Sequence, residues 1–211
     1  MELKDSLNLV KERIARAAAK SGRSWSDITL VAVSKTVTSD IVRQAFELGV
    51  SDFGENRVQE LNRKTSLLPE ARWHLIGRLQ SNKVKDVVGK VVLIHSLDRW
   101  SLAEELDRRG QREGDEVPCL LQINIAGEEQ KAGVDPHEVQ SFLESMGQLK
   151  AVRLYGLMTM APLLDQGEKA RPVFKELRAL KEKLVKSRYI NVDLRYLSMG
   201  MSQDYEVAIE E

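Results

Sequence analysis

Apolar residues recur along this chain in two rhythms. Leu3, Leu7, Val10, Ile14 and Ala17 are spaced by threes and fours, which predicts an opening helix that Ser21-Gly22 ends. After it, short apolar runs alternate with longer amphipathic ones. The runs at 28–34 (ITLVAVS), 51–55 (SDFGE), 72–77 (RWHLIG), 91–96 (VVLIHS), 117–125 (VPCLLQINI), 152–160 (VRLYGLMTM) and 193–200 (DLRYLSMG) read as strands. The segments at 39–49, 56–68, 81–89, 98–114, 135–149 and 167–187 read as helices, and another starts near residue 202. Asp98 opens one of these helices, and Asp135 caps another with Pro136 at its first position. Strands that each lead into a helix predict a parallel sheet with helical crossovers. An open doubly wound sheet and a (β/α)8 TIM-type barrel both fit, and the strand count favours a barrel without its last strand. No GxGxxG follows the first strand, so a dinucleotide fold has no support. No Gly/Pro/Ser linker divides the chain, so residues 1–211 are expected to form a single domain.

Composition narrows the classes. Lys+Arg and Asp+Glu balance at 32 each, which gives no basic excess for nucleic acid. The lone cysteine, Cys119, rules out a disulfide within the chain and reads as a buried strand residue. The charged N-terminus has no apolar core of a signal peptide, and no apolar run approaches the ~20 residues of a membrane span. A soluble, cytoplasmic protein is expected.

In a barrel, chemistry collects where strands end. The strand ends carry Ser34-Lys35, Gly54-Glu55-Asn56, Asn124, Met158-Thr159 and the stretch Ser198 to Ser202. Lys35 has two open readings: a solvated strand end, or a reactive amine that can form a Schiff base. Glu55 reads as a cap of the next helix, and Asn56 offers both a donor and an acceptor at a pocket mouth. His74, inside an apolar strand, is either a satisfied core residue or a cofactor-binding one. Ser198, Gly200, Met201 and Ser202 form a small-residue turn ahead of a helix, a reasonable cradle for an anion. The three histidines lie on different elements, so no metal site is expected. His95 and Ser96 are sequence neighbours only, with no spacing that makes a Ser/His/Asp mechanism.

Six motifs occur in order: AVSKT (32–36), FGENRVQE (53–60), WHLIGRLQSNK (73–83), QINIAGEEQKAG (122–133), GLMTM (156–160) and LSMGMS (197–202). Together they resemble the pyridoxal phosphate homeostasis protein family and span nearly the whole chain. The resemblance implies a barrel like the N-terminal domain of alanine racemase. It implies pyridoxal 5′-phosphate (PLP) held as a Schiff base on Lys35, with Asn56 near the cofactor. Ser198, Gly200, Met201 and Ser202 would lie near its phosphate, in agreement with the anion reading of that turn. The implied role is intracellular PLP (vitamin B6) homeostasis without robust catalysis, as a monomer with transient contacts to PLP-dependent enzymes. The alternative is a PLP enzyme such as an amino-acid racemase. Racemisation needs acid–base groups on both faces of the substrate carbon, and in alanine racemase-like enzymes a separate β domain serves the second face. The family's Arg-Ile-Gly-Thr segment, which supplies its eighth strand, a ring-nitrogen contact and phosphate contacts, follows the helix within which this chain stops, at Glu210-Glu211.

Overall fold

The computed structural model describes residues 2–127, 132–162 and 167–211. Its seven strands are β1 (Val31–Val33), β2 (Asp52–Glu55), β3 (Arg72–Leu75), β4 (Leu93–Leu97), β5 (Val117–Gln122), β6 (Val152–Met158) and β7 (Val192–Ser198). They pair side by side in chain order, and every pair is parallel. The sheet curls, so that Ser198 of β7 reaches across the interior to hydrogen-bond with His95 of β4. Sequential parallel order with curl is the arrangement of a (β/α)8 barrel, as the alternation predicts. In this sheet β1 and β7 are the unpaired edges.

The α-helices are α1 (Leu3–Lys20), α2 (Ser39–Glu47), α3 (Val58–Leu67), α4 (Trp100–Glu113), α5 (Val139–Ser145), α6 (Arg171–Leu184) and α7 (Tyr205–Glu210). Buried apolar residues from the strands and from the inner helix faces form one main core. Among them is Cys119, fully buried in the interior strand β5 between Ile94 and Leu154, as the sequence suggests. α1 lies against α7, where Arg13 pairs with Glu206 at 2.9 Å and Lys20 with Glu210 at 2.7 Å. Asp107 of α4 is buried, and its Oδ1 accepts the backbone N–H groups of Lys150, Ala151 and Val152 at 2.7, 2.6 and 3.2 Å. One carboxylate thus fixes where β6 begins. Among the described residues, no helix is long and apolar enough to cross a membrane.

Three local expectations change. The segment 81–89 is only a 3-10 helix over Ser81–Asp86, capped by Gln80 without a side-chain bond. So short a segment gains little from α nucleation, and its job is to bury Val84, Val87 and Val88. The helix expected from 135 begins at Val139, because Asp135 Oδ1 accepts the His137 N–H at 2.8 Å and makes a local turn first. Glu55 is no helix cap: it ends β2, and Arg57 occupies the cap of α3 without a side-chain bond.

Candidate functional site

Strand alternation divides the polar residues of the sheet into an outer and an inner set. The outer set joins β1 and β2 to α3. Ser34 Oγ donates to Glu55 Oε1 at 2.7 Å, and Lys64 Nζ donates to the same oxygen at 2.6 Å. Lys64 also donates to the Ser34 carbonyl at 2.6 Å. Lys64 and Glu55 are each 1% exposed, so this is a buried ion pair, and Glu55 Oε2 has no partner among the described residues. The peptide that leads into Lys35 is therefore held from behind. Lys35 itself is exposed, in a turn that Thr36 closes with φ of 65°. No described residue pairs with its amine. The two lysines near the end of β1 thus differ in kind: one amine is locked, the other is open.

The inner set crosses the interior as a single line. Asp52 Oδ1 meets His74 Nε2 at 2.9 Å, His74 Nδ1 meets His95 Nε2 at 2.9 Å, and His95 Nδ1 meets Ser198 Oγ at 2.7 Å. Asp52, His74 and His95 are buried. Burial alone would raise the Asp52 carboxyl, but hydrogen bonds from His74 and Ser51 and the nearby Arg72 hold it below its usual value. Burial, with His74 beside it, pushes His95 down to about 3. Between that value and the ordinary imidazole value of 6.5, the unfolded chain binds a proton that folded His95 refuses. This contribution to stability is full above about pH 6.5 and is lost as pH falls. Urea midpoints measured from about pH 7.5 to 4.5 are expected to drop steeply in the unaltered protein and less steeply in His95→Gln. Equal slopes would refute the assignment.

The turn after β7 holds Ser198, Gly200, Met201 and Ser202. Gly200 has φ of 87°, and a Cβ there would lie 2.8 Å from Ala208 Cβ and 3.0 Å from Tyr205 Cα, so only glycine fits. The backbone N–H of Met201 donates to the Asp204 carboxylate. No described residue accepts from the N–H groups of Gly200 or Ser202. Asn56 is exposed just past β2, and Gly77 packs directly on its backbone: a Cβ at Gly77 would lie 2.7 Å from Asn56 Cα. Ser96 Oγ donates to the Gly77 carbonyl at 2.7 Å and so faces away from the inner line; it makes no pair with His95.

Lys35, Asn56 and the Ser198–Ser202 turn therefore stand at the same ends of parallel strands, as the sequence suggests. His74 sits one layer deeper, with both ring nitrogens engaged by protein groups. Residues 128–131 of the QINIAGEEQKAG motif lie outside the described residues. Among the described residues, no cluster of His, Cys, Asp and Glu suits a metal. Sequence reading missed Lys64 and Asp52. The available signal was a polar residue at the inward position of neighbouring strands, since the β2–β3 register aligns Asp52 with Arg72 and Gly54 with His74.

This curled sheet of parallel strands, with an open lysine after β1 and a glycine-shaped turn after β7, defines a class. The chain matches the alanine racemase N-terminal domain family over residues 6–210. Over 209 residues it is 44% identical to the pyridoxal phosphate homeostasis protein of Aquifex aeolicus, covering 98% of this chain and 91% of that one. A crystal structure of an unknown protein from Bifidobacterium adolescentis superposes with a TM-score of 0.93 at 34% identity, covering 99% and 89% of the two chains. PipY of Synechococcus elongatus, solved with PLP bound, has a TM-score of 0.80 at 36% identity, covering 93% and 92%. The chain belongs to the pyridoxal phosphate homeostasis protein family.

Proposed function

We propose that this chain binds PLP at the C-terminal rim of its barrel and serves PLP homeostasis, without catalytic turnover of its own. The observation that carries the reading is the contrast between two lysines at the end of β1. Lys64 is buried and spends its protons on Glu55 and Ser34. Lys35 stands exposed beside it on a braced backbone. When bound, PLP supplies an aldehyde that condenses with a primary amine and a phosphate that needs hydrogen-bond donors. The residues fit both demands: Lys35 offers the amine, and the Gly200 turn offers a close backbone approach with the N–H groups of Gly200 and Ser202.

In this reading Lys35 carries the cofactor covalently, and Asn56 hydrogen-bonds it from the end of β2. Ser198, Gly200 and Ser202 hold the phosphate, while Met201 shapes the turn and leaves its N–H to Asp204. His74 supports the site from beneath through His95. The PLP named in the PipY structure and the name shared by the relatives favour PLP over another phosphorylated ligand. The same relatives are named for homeostasis rather than for a reaction, which favours a carrier over a racemase. The reading is completed by a monomer in the cytoplasm that delivers its cofactor in transient encounters with PLP-dependent enzymes.

The test is a visible spectrum of the protein mixed with PLP, before and after borohydride, followed by a mass of the Lys35 peptide. A yellow band that borohydride fixes onto Lys35 is the expected result. A protein that stays colourless and unmodified in excess PLP overturns the reading.

A further inference from the structure

We propose that the line Asp52–His74–His95–Ser198 is a proton-coupled switch that turns the Ser198 hydroxyl from donating inward to His95 to donating outward to the ligand when a phosphate occupies the turn after β7. The proposal rests on the PLP reading above and assigns a role to three side chains in it, two of which hold no contact with the rim.

The logic follows from counting protons along four groups. Asp52 is an ionised carboxylate and can only accept, so His74 Nε2 carries a hydrogen. With His74 neutral, its Nδ1 is an acceptor, and His95 Nε2 must be the donor. His95 Nδ1 is then an acceptor, and the Ser198 hydroxyl donates inward to it. In this state Ser198 shows a phosphate only lone pairs, and two acceptors face each other. One added proton on His74 Nδ1 reverses the two bonds beyond His74 and leaves Nε2–H donating to Asp52. His74 then donates to His95 Nε2, whose own hydrogen moves to Nδ1 and donates to Ser198 Oγ. The Ser198 hydrogen is released to rotate outward toward the anion. The balance is one proton gained by the line, with His95 neutral in both states and only its tautomer changed.

The surroundings support both states. The extra positive charge on His74 rests against Asp52, whose other contacts are Ser51 and Arg72. From the neighbouring strands, the polar groups that meet the two rings are Asp52 on β2, the other ring, and Ser198 on β7, so no described lysine or arginine contacts either ring. The depressed value of His95 keeps it a neutral conduit. A dianionic ligand at the turn then draws a proton into the interior, and PLP affinity falls as pH rises, by at most about tenfold per pH unit for one coupled proton.

The experiment is 15N NMR of ring-labelled histidine in the unaltered protein at about pH 8, with and without PLP. The chain has three histidines, and exposed His137 is the internal reference. Expected on PLP addition: His74 becomes doubly protonated, His95 moves its hydrogen from Nε2 to Nδ1, and His137 does not change. Pyridoxal, with the same aldehyde but no phosphate, is expected to leave both rings as they were. Ser198→Ala removes one phosphate contact, so PLP is expected to bind more weakly and, at saturation, to leave the His95 hydrogen on Nε2. If PLP is fixed to Lys35 by borohydride while both rings keep their starting tautomers, the switch is overturned and the PLP reading stands. If no adduct forms at all, the PLP reading falls and the switch with it.

Discussion

Lys64→Met is expected to lower the free energy of unfolding by about 3–5 kcal/mol, the cost of stranding one partner of a buried ion pair. Glu55 is 1% exposed and already has one oxygen without a partner among the described residues. Without Lys64 its charge keeps a single side-chain donor, Ser34 Oγ. The Ser34 carbonyl loses its bond from Lys64 as well. Methionine fills much the same volume, so the loss reports electrostatics rather than a cavity. The double variant Lys64→Met with Glu55→Gln removes the stranded charge, keeps an acceptor for Ser34 and is expected to recover most of the stability. Urea unfolding of the two variants checks this; equal destabilisation in both would show that packing, not charge, governs the site. The functional counterpart is weaker fixation of PLP on Lys35 in the single variant, since the peptide entering Lys35 loses its brace.

Gly77→Ala is the second large effect, expected to cost at least about 3 kcal/mol, the upper range for overpacking. The added methyl would fall on the Asn56 backbone, which belongs to the adjoining strand end and has no rotamer to yield with. For a chain of this length the loss corresponds to a drop in Tm of roughly 6–12 °C. Because relief requires moving Asn56, PLP binding is expected to fall along with stability. A thermal melt and a PLP titration of the same preparation read both. An unchanged melting temperature would mean that the two strand ends are not in contact.

The two sites differ in how visible they were beforehand. Alternating apolar runs carry the seven strands and their parallel order, because a parallel sheet built from sequential crossovers is a local consequence of the chain. Lys35, Asn56 and the 198–202 turn follow from knowing that strand ends make the rim. Glu55 and Lys64 are nine residues apart, yet their pairing depends on how α3 lies on the sheet, and a carboxylate ahead of a helix resembles a cap. The inner line is harder still. Asp52 and His74 are 22 residues apart, and His95 and Ser198 are 103 apart, joined only by the curl of the sheet. No periodicity within either strand encodes that contact. The short 3-10 segment at 81–86 shows the reverse case, in which an apolar spacing legible as a helix is too brief to make a regular one.

Cys119 gives the molecule a clock. Its sulfur is fully buried in β5, inside the sheet, and burial pushes the thiol far above its ordinary value, so the reactive thiolate is withheld in the native state. A thiol reagent in the buffer can therefore act only during the moments when β5 parts from its neighbours. With one cysteine in the chain, every label marks one such opening. The pace of labelling, with and without ligand, then reads how often the barrel breathes and how firmly a bound cofactor holds it shut.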